Sequence, residues 1–277
     1  MADPVLTRLE DYYDLAPRVM ADTEQVGPFT LFVARSGWPY YARPRLGLAG
    51  RSSEVTAEQV GAVLSRQREL GVPRAVEWVD QTTPSLYAAA VAAGMRVERC
   101  PLLVLDPPVR RTDAATQAGQ EADPAAVRRL FADDPDLAAV VAAVGVAFDH
   151  AGTATGPASV AERDEALGRG AGHVDATRAA ISAGATVQVG VFLPGVGAVG
   201  GGAHNPRGQV SEVVGVGVLP AFRRRGLAAA VTADLVDDAL RRGVTTVFCS
   251  AASQEVARVY QGIGFRPVGT ACVAEAD

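Results

Sequence analysis

The chain has 277 residues, a net charge of −5 and an apolar share of 48%. That length suits two small domains better than one, and the apolar share allows each to bury a core. The acidic balance argues against a general nucleic-acid binder, and no apolar run reaches the roughly 18 residues of a membrane span. The opening MADPVLTRLEDYYDL has neither the basic nor the apolar region of a secretory signal, so a cytoplasmic protein is expected.

In chain order, TLFVARS reads as a strand, TAEQVGAVLSRQREL as a helix ending at Gly71, and RAVEWVD as a strand. PSLYAAAVAAG reads as a helix and MRVERCPLLVLD as a strand. Between the first two lies GWPYYARPRLG, where Trp38, Tyr40, Tyr41, Arg43 and Arg45 crowd together as a cover for a site or a domain seam. Residues 107–126, polar and proline-bearing, read as a linker. The expected domains are therefore 1–106 and 127–277.

The second domain opens with VRRLFADDPDLAAVVAAVGVAF, which suggests one or two helices. Three antiparallel strands are expected next, at 177–182, at 186–204 with a turn or kink, and at 211–219. Helix 224–242, strand 244–250, helix 253–262 and strand 265–273 follow. Leu227, Val231 and Leu235 give the long helix a buried stripe, and Arg241-Arg242-Gly243 closes it. The late strand–helix–strand order repeats that of the first domain, with Gly243 and Gly264 matching Gly71 and Gly94. The copies differ chemically: the first lacks a basic glycine turn, and the position of Tyr260 falls at Ala90.

Cys100, Cys249 and Cys272 lie far apart with no CxxC spacing, and His150, His173 and His204 are isolated, so no metal site is expected. The chain has no lysine, which excludes a Schiff-base lysine. Asp237 and Asp238 are placed on the polar face of the long helix, without chemistry.

The stretch SEVVGVGVLPAFRRRGLA at 211–228 carries the functional signal. A strand-like run meets Pro220, then Arg223-Arg224-Arg225-Gly226, then the long helix. Gly226 lets backbone approach a ligand without a Cβ in the way. The first helical N–H groups, at Leu227, Ala228 and Ala229, lack intrahelical acceptors, and the helix dipole favours an anion there. A diphosphate is the natural occupant. The glycines Gly215 and Gly217 alternate with Val216 and Val218, a pattern that marks close approach of a backbone or a ligand, or simply relief of packing.

Residues 211–270 resemble the GNAT superfamily of N-acetyltransferases. The acetyl-CoA loop of that superfamily follows Gln/Arg-x-x-Gly-x-Gly/Ala, here Arg223-x-x-Gly226-x-Ala228. VARVYQGIGFRPVG is similar to its next helix and last strand. The whole chain is similar to the tandem arrangement in which a degenerate first domain supports an active second one, as in mycothiol synthase. The resemblance implies an α/β (α+β) fold of two GNAT-like domains, each a mixed, largely antiparallel sheet flanked by helices. It implies acetyl-CoA as co-substrate, with no metal.

By the same resemblance, Glu212 takes the position of a general base, although a strand-edge glutamate that only solvates the sheet fits equally. Val216 would offer its N–H to the acetyl carbonyl. Gly217 and Val218 would lie along the pantetheine arm. Tyr260 would give a proton to the departing thiolate, or serve as a core aromatic. Ser253 replaces the asparagine common in relatives, and fits a helix N-cap as well as a cofactor contact. The implied reaction is acetyl transfer to a primary amine by direct attack. The other class that fits is an acetyl-CoA-binding sensor without turnover. A small-molecule amine is the expected partner, without nucleic acid or membrane, and a homodimer is compatible. The loop FDHAGTATGPASVAERDE, with Asp149 and His150, is expected near the acceptor.

Overall fold

The computed structural model describes residues 3–35, 39–48, 54–105 and 125–276. Most of the expected linker, and Trp38 of the aromatic cluster, lie outside the described residues. The chain divides into two compact units. One is residues 1–102 with 267–277, and the other is residues 103–266. The second unit thus stops at Arg266, whereas the sequence reading carried it to residue 277.

The first unit begins with helix α1 (Pro4–Arg18), which the sequence reading left unassigned. Asp3 caps it and Pro4 sits in its first turn, where a missing N–H costs nothing. Strands β1 (Ala21–Val26), β2 (Phe29–Ala34) and β3 (Arg43–Pro44) form an antiparallel sheet in that order. Helix α2 (Ala57–Leu70) starts with a capping box between Thr56 and Gln59, and ends at Gly71 in the left-handed region. Strand β4 (Ala75–Val79), helix α3 (Ser85–Ala92) and strand β5 (Arg96–Leu105) follow. Ala42 bridges to Val76 in parallel.

Strand β11 (Phe265–Glu275) lies between β4 and β5, antiparallel to β4. Its Cys272 and Ala274 are fully buried in the core formed by Phe29, Leu31, Val60, Val63, Trp78 and Leu86. The cluster read as a cover is engaged inside this unit. Tyr41 donates to Glu275 at 3.0 Å. Arg43, 4% exposed, pairs with Glu10 and Glu77 and stacks on Tyr13.

In the second unit the strand order is β10-β9-β8-β7-β6. Strand β6 (Ala126–Leu130) occupies the start of a stretch read as helix. Helix α4 (Leu137–Asp149) follows, then α5 (Val160–Ala166) and α6 (Ala171–Ser182). Residues 177–182, expected as a strand, are the last turns of α6. Ala179 and Ala180 favour helix there, and a sustained β-branched alternation begins only at Thr186. Strands β7 (Val187–Leu193), β8 (Gly197–Arg207) and β9 (Val210–Val218) make an antiparallel meander, so the expected kinked strand 186–204 is a hairpin. Helix α7 (Leu227–Arg241), strand β10 (Thr246–Ser250) and helix α8 (Gln254–Ile263) complete the unit, as expected.

Glycines set the thickness of this unit. A Cβ on Gly201 would lie 2.6 Å from Val140 of α4, and one on Gly202 would lie 3.1 Å from Val231 of α7. Successive strand residues face opposite sides, so α4 covers one face of the sheet and α7 the other. Val231 and Leu235 are fully buried, each stabilising by about 1.5–3 kcal/mol.

Candidate active site

Strands β9 and β10 run parallel for three residue pairs only: Thr246 with Val210, Val247 with Ser211, and Phe248 with Glu212. Strand β9 continues to Val218, still laddered to β8 on its other edge. From Val213 onward the edge facing β10 therefore has no ladder partner among the described residues. The register between β8 and β9 shifts between Gly201 and Ala203, opposite Gly215, whose φ is +60°. That is a β-bulge, which bends the strand away from its neighbour.

The bulge also fixes what faces the gap. Leu219 N–H donates to Val199 O at 2.9 Å, toward β8. By strand alternation the N–H groups of Val218 and Val216 point the other way, to the open edge. A Cβ on Gly217 would lie 3.0 Å from Ala147 of α4, so its missing side chain relieves packing there.

Past Leu219 the chain makes one 3-10 turn (Pro220–Phe222) and enters the basic turn. Arg224 adopts φ +62°, a left-handed conformation that costs a non-glycine residue about 1–2 kcal/mol. Gly226, at φ +74°, is the N-cap of α7. The first i to i−4 bond of the helix runs from Ala230 N–H to Gly226 O. The N–H groups of Leu227, Ala228 and Ala229 thus precede the helical ladder, and the positive end of the dipole lies with them. Arg224 and Arg225 are exposed beside this point.

Arg223 behaves differently from its neighbours. Its guanidinium turns inward and donates to four main-chain carbonyls, those of Val218, Ala154, Ala147 and His150. Burial lowers its pKa from the usual arginine range. The charge expected to face a phosphate is spent on backbone.

Glu212 is half-buried. It sits opposite Asn205 on β8, and Asn205 follows Gly201 by alternation onto the α4 face, so Glu212 shares that face. Burial pushes the Cys249 thiol well above its ordinary range, and the Glu212 charge adds to the shift. Tyr260, 7% exposed, packs edge-on against Phe265 with ring centroids 5.7 Å apart. Burial, and then Cys249, push its phenol far above the ordinary value, so the hydroxyl stays protonated. Cys249 therefore stands within electrostatic reach of both Glu212 and Tyr260, near the parting of β9 and β10. Ser253 caps α8, accepting from Val256 N–H at 3.2 Å.

One cluster escaped the sequence reading. His204 Nδ1 meets Ser211 Oγ at 2.8 Å, and its Nε2 meets Asp238 Oδ2 at 3.0 Å. Asp238 also pairs with Arg242. Placing Asp238 on a polar helix face was wrong, since it is 9% exposed. The order resembles a nucleophile triad, but His204 and Ser211 are both 0% exposed, so no substrate reaches them. A signal was present: His204 and Ser211 flank one hairpin turn on the face of α7. A second omission is the path of residues 150–158, which bonds to the turn after β9. Gly156 N–H donates to Pro220 O at 3.3 Å, and Ala221 N–H to Ala158 O at 3.0 Å.

Residues 189–265, all within the second unit, match the acetyltransferase (GNAT) family model. Over that stretch the second unit is similar to GNAT acetyltransferases. Among solved structures, a GCN5-related N-acetyltransferase from Kribbella flavida superposes with a TM-score of 0.70 at 19% identity, covering 100% of this chain and 97% of its own. A GCN5-related N-acetyltransferase-like protein from Streptococcus suis gives 0.55 at 11% identity, covering 98% and 97%. A tandem GNAT protein from the clavulanic acid biosynthesis pathway gives 0.51 at 15% identity, covering 90% and 78%. No curated protein matches by sequence. At these identities the likeness speaks for the fold. Among the described residues, no helix is long and apolar enough to cross a membrane, and no cluster of His, Cys, Asp and Glu is built to hold a metal.

Proposed function

We propose that the second unit transfers an acetyl group from acetyl-CoA to a primary amine by direct attack. The observation that carries this reading is the continuity of the open β9 edge with the basic turn and the N-terminus of α7. A pantetheine arm is a peptide-like chain with amide donors and acceptors. An unladdered strand edge is built to pair with such a chain. The turn beyond it offers N–H groups and exposed arginines to a diphosphate. The residues therefore fit coenzyme A along its whole length, from the thioester beside Val216 to the phosphates at Gly226.

Within that frame Glu212 accepts the proton an ammonium must lose before its nitrogen can attack. The acceptor comes from the α4 face, because Glu212 lies there. The N–H of Val216 faces the gap and stabilises the oxyanion as the carbonyl becomes tetrahedral. The C–S bond then breaks, and the buried, protonated Tyr260 supplies a proton to the leaving sulfur. Proton count balances: the nitrogen gives up two protons, one passed through Glu212 to solvent before attack and one taken by Glu212 from the tetrahedral intermediate; Tyr260 protonates the thiolate and regains its proton as Glu212 loses its own, so one proton is released per turnover. Acetyl-CoA as donor goes with a cytoplasmic enzyme.

The domain reading takes the first unit as a degenerate relative of the second. Its support is the parallel bridge between Ala42 and Val76, which repeats the parallel pairing of β9 and β10 without a basic turn after it.

Two measurements test the proposal. Calorimetry with CoA should show saturable binding. Thiol release from acetyl-CoA over a panel of primary amines should exceed the amine-free rate for at least one. Binding without release on any amine would leave a sensor, and no binding would remove the coenzyme assignment altogether.

A further inference from the structure

Four carbonyls surround the Arg223 guanidinium. Its Nε donates to Val218 O at 3.0 Å, Nη1 to Ala154 O at 3.2 Å, and Nη2 to Ala147 O and His150 O at 2.9 and 2.7 Å. They belong to the end of β9, the last turn of α4 and the segment beyond it. Val218 is also one of the residues whose N–H faces the open edge.

The segment after α4 is fastened at further points. Gly156 N–H bonds Pro220 O, and a Cβ on Gly156 would lie 3.2 Å from Pro220 Cβ. The Thr153 hydroxyl bonds the Glu255 carboxylate on α8. Residues 150–156 therefore run between the turn that follows β9 and the helix that follows β10. They span the ends of the two strands that part.

We propose that Arg223 is a positioning residue that couples the basic turn to the α4 side of the site, where the acceptor amine meets Glu212. The proposal rests on the coenzyme reading of that turn. Arg223 is the first residue of the turn, and the next one, Arg224, is held at a strained φ of +62°. A change in the turn's backbone on closing around a diphosphate moves the Arg223 Cα and the four bonds it directs. Ordering the turn thereby orders residues 147–156. A point charge aimed at phosphate would behave otherwise, because it would not address neutral carbonyls at all. Coupling of this kind needs a contiguous set of bonded groups between two sites, and the guanidinium supplies one.

Hydrogen exchange on the full chain, with and without saturating CoA, tests this. Amides of residues 147–156 should exchange about fivefold or more slowly with CoA bound, the lower end of ordinary coupling factors. Arg223→Lys keeps the charge but cannot reach four carbonyls. It should bind CoA within about threefold of the parent, a change worth ~0.6 kcal/mol, and lose the protection at 147–156. Arg223→Gln, which also lacks the fork, should behave the same way and stands in if the lysine variant does not fold. Thr153→Val, which leaves the guanidinium in place, should keep the CoA-dependent protection of residues 147–150. Calorimetry on the parent separates the two ideas. No CoA binding sinks the coenzyme reading and this coupling with it. CoA binding with unchanged exchange at 147–156, protection that survives in both Arg223 variants, loss of protection in Thr153→Val, or CoA affinity that falls steeply in the Arg223 variants sinks the coupling alone.

Discussion

Three residues of the second unit show how position decides chemistry. Gly226 combines a positive φ with a seat at the helix N-terminus. Gly226→Glu adds a strained backbone and a negative charge where an anion is to bind. CoA affinity should drop about 10- to 100-fold, or ~1.4–2.8 kcal/mol, measured by calorimetry on folded protein. Undiminished affinity would take the diphosphate away from this turn. Tyr260→Phe should slow turnover by about 10²-fold or more while CoA still binds, as expected for loss of a general acid. Because burial raises the Tyr260 pKa, the native enzyme should lose no activity through this group as pH rises to about 10, the ordinary phenol value. A rate equal to that of the parent would mark Tyr260 as packing only. Glu212→Gln should lower the limiting rate by about 10²–10⁴-fold and move the pH dependence upward, since the amine must then lose its proton to solvent. A superimposable pH profile would free Glu212 of the role.

At the scale of elements, α7 is held to the meander by more than its apolar stripe. Asp238 accepts from His204 and pairs with Arg242, so Asp238→Ala strands a buried imidazole nitrogen. The cost should be about 1–3 kcal/mol of stability, read by denaturant melts. The pH sign follows from the directions of the shifts. Burial lowers the His204 pKa; burial alone would raise that of Asp238, but its hydrogen bonds and charge interactions with Arg242 and His204 together lower it. In each case the unfolded chain binds the proton more readily. Stability is thus full above about pH 6.5, falls as pH drops below that ordinary histidine value, and falls again below about 3.9. His204→Gln should remove the first step and leave the second. A parent melting profile flat between pH 7 and 5 would contradict this.

The same elements show what a sequence discloses. The α7 stripe, the Gly226 turn and the strand–helix–strand order after it were legible because periodicity and turn chemistry are local. The end of α6 was misread because Ala179 and Ala180 dilute both periods. The start of β6 was misread because its two arginines mask the alternation. The open edge of β9 was invisible, since it depends on how far a neighbour's ladder extends. Arg223 was assigned by its charge, and only the fold shows its guanidinium turned toward carbonyls. Asp238 was misplaced because its partner His204 lies on another element.

For the whole molecule, the decisive feature is that β11 belongs to the first unit's core. Residues 1–102 expressed alone lack Cys272 and Ala274, which are fully buried against Val76 and Trp78. That fragment should give no cooperative melt, whereas adding residues 267–277 as a peptide should raise its near-ultraviolet signal. A cooperative melt from the bare fragment would show the strand to be dispensable. In the full chain Cys272 should be slow to thiol reagents, since burial is the main cause raising its pKa to about 11.

Synthesis runs from residue 1 onward, so the ribosome releases the second unit before it releases β11. Domains ordinarily fold in the order in which they emerge. Here the half made earliest waits, with an unfilled slot beside β4, until translation has passed through everything from residue 103 to residue 266. An exposed sheet edge over that interval is a natural landing place for a chaperone or for a neighbouring nascent chain, and slowing the codons for β11 should lengthen the exposure without altering a single amino acid.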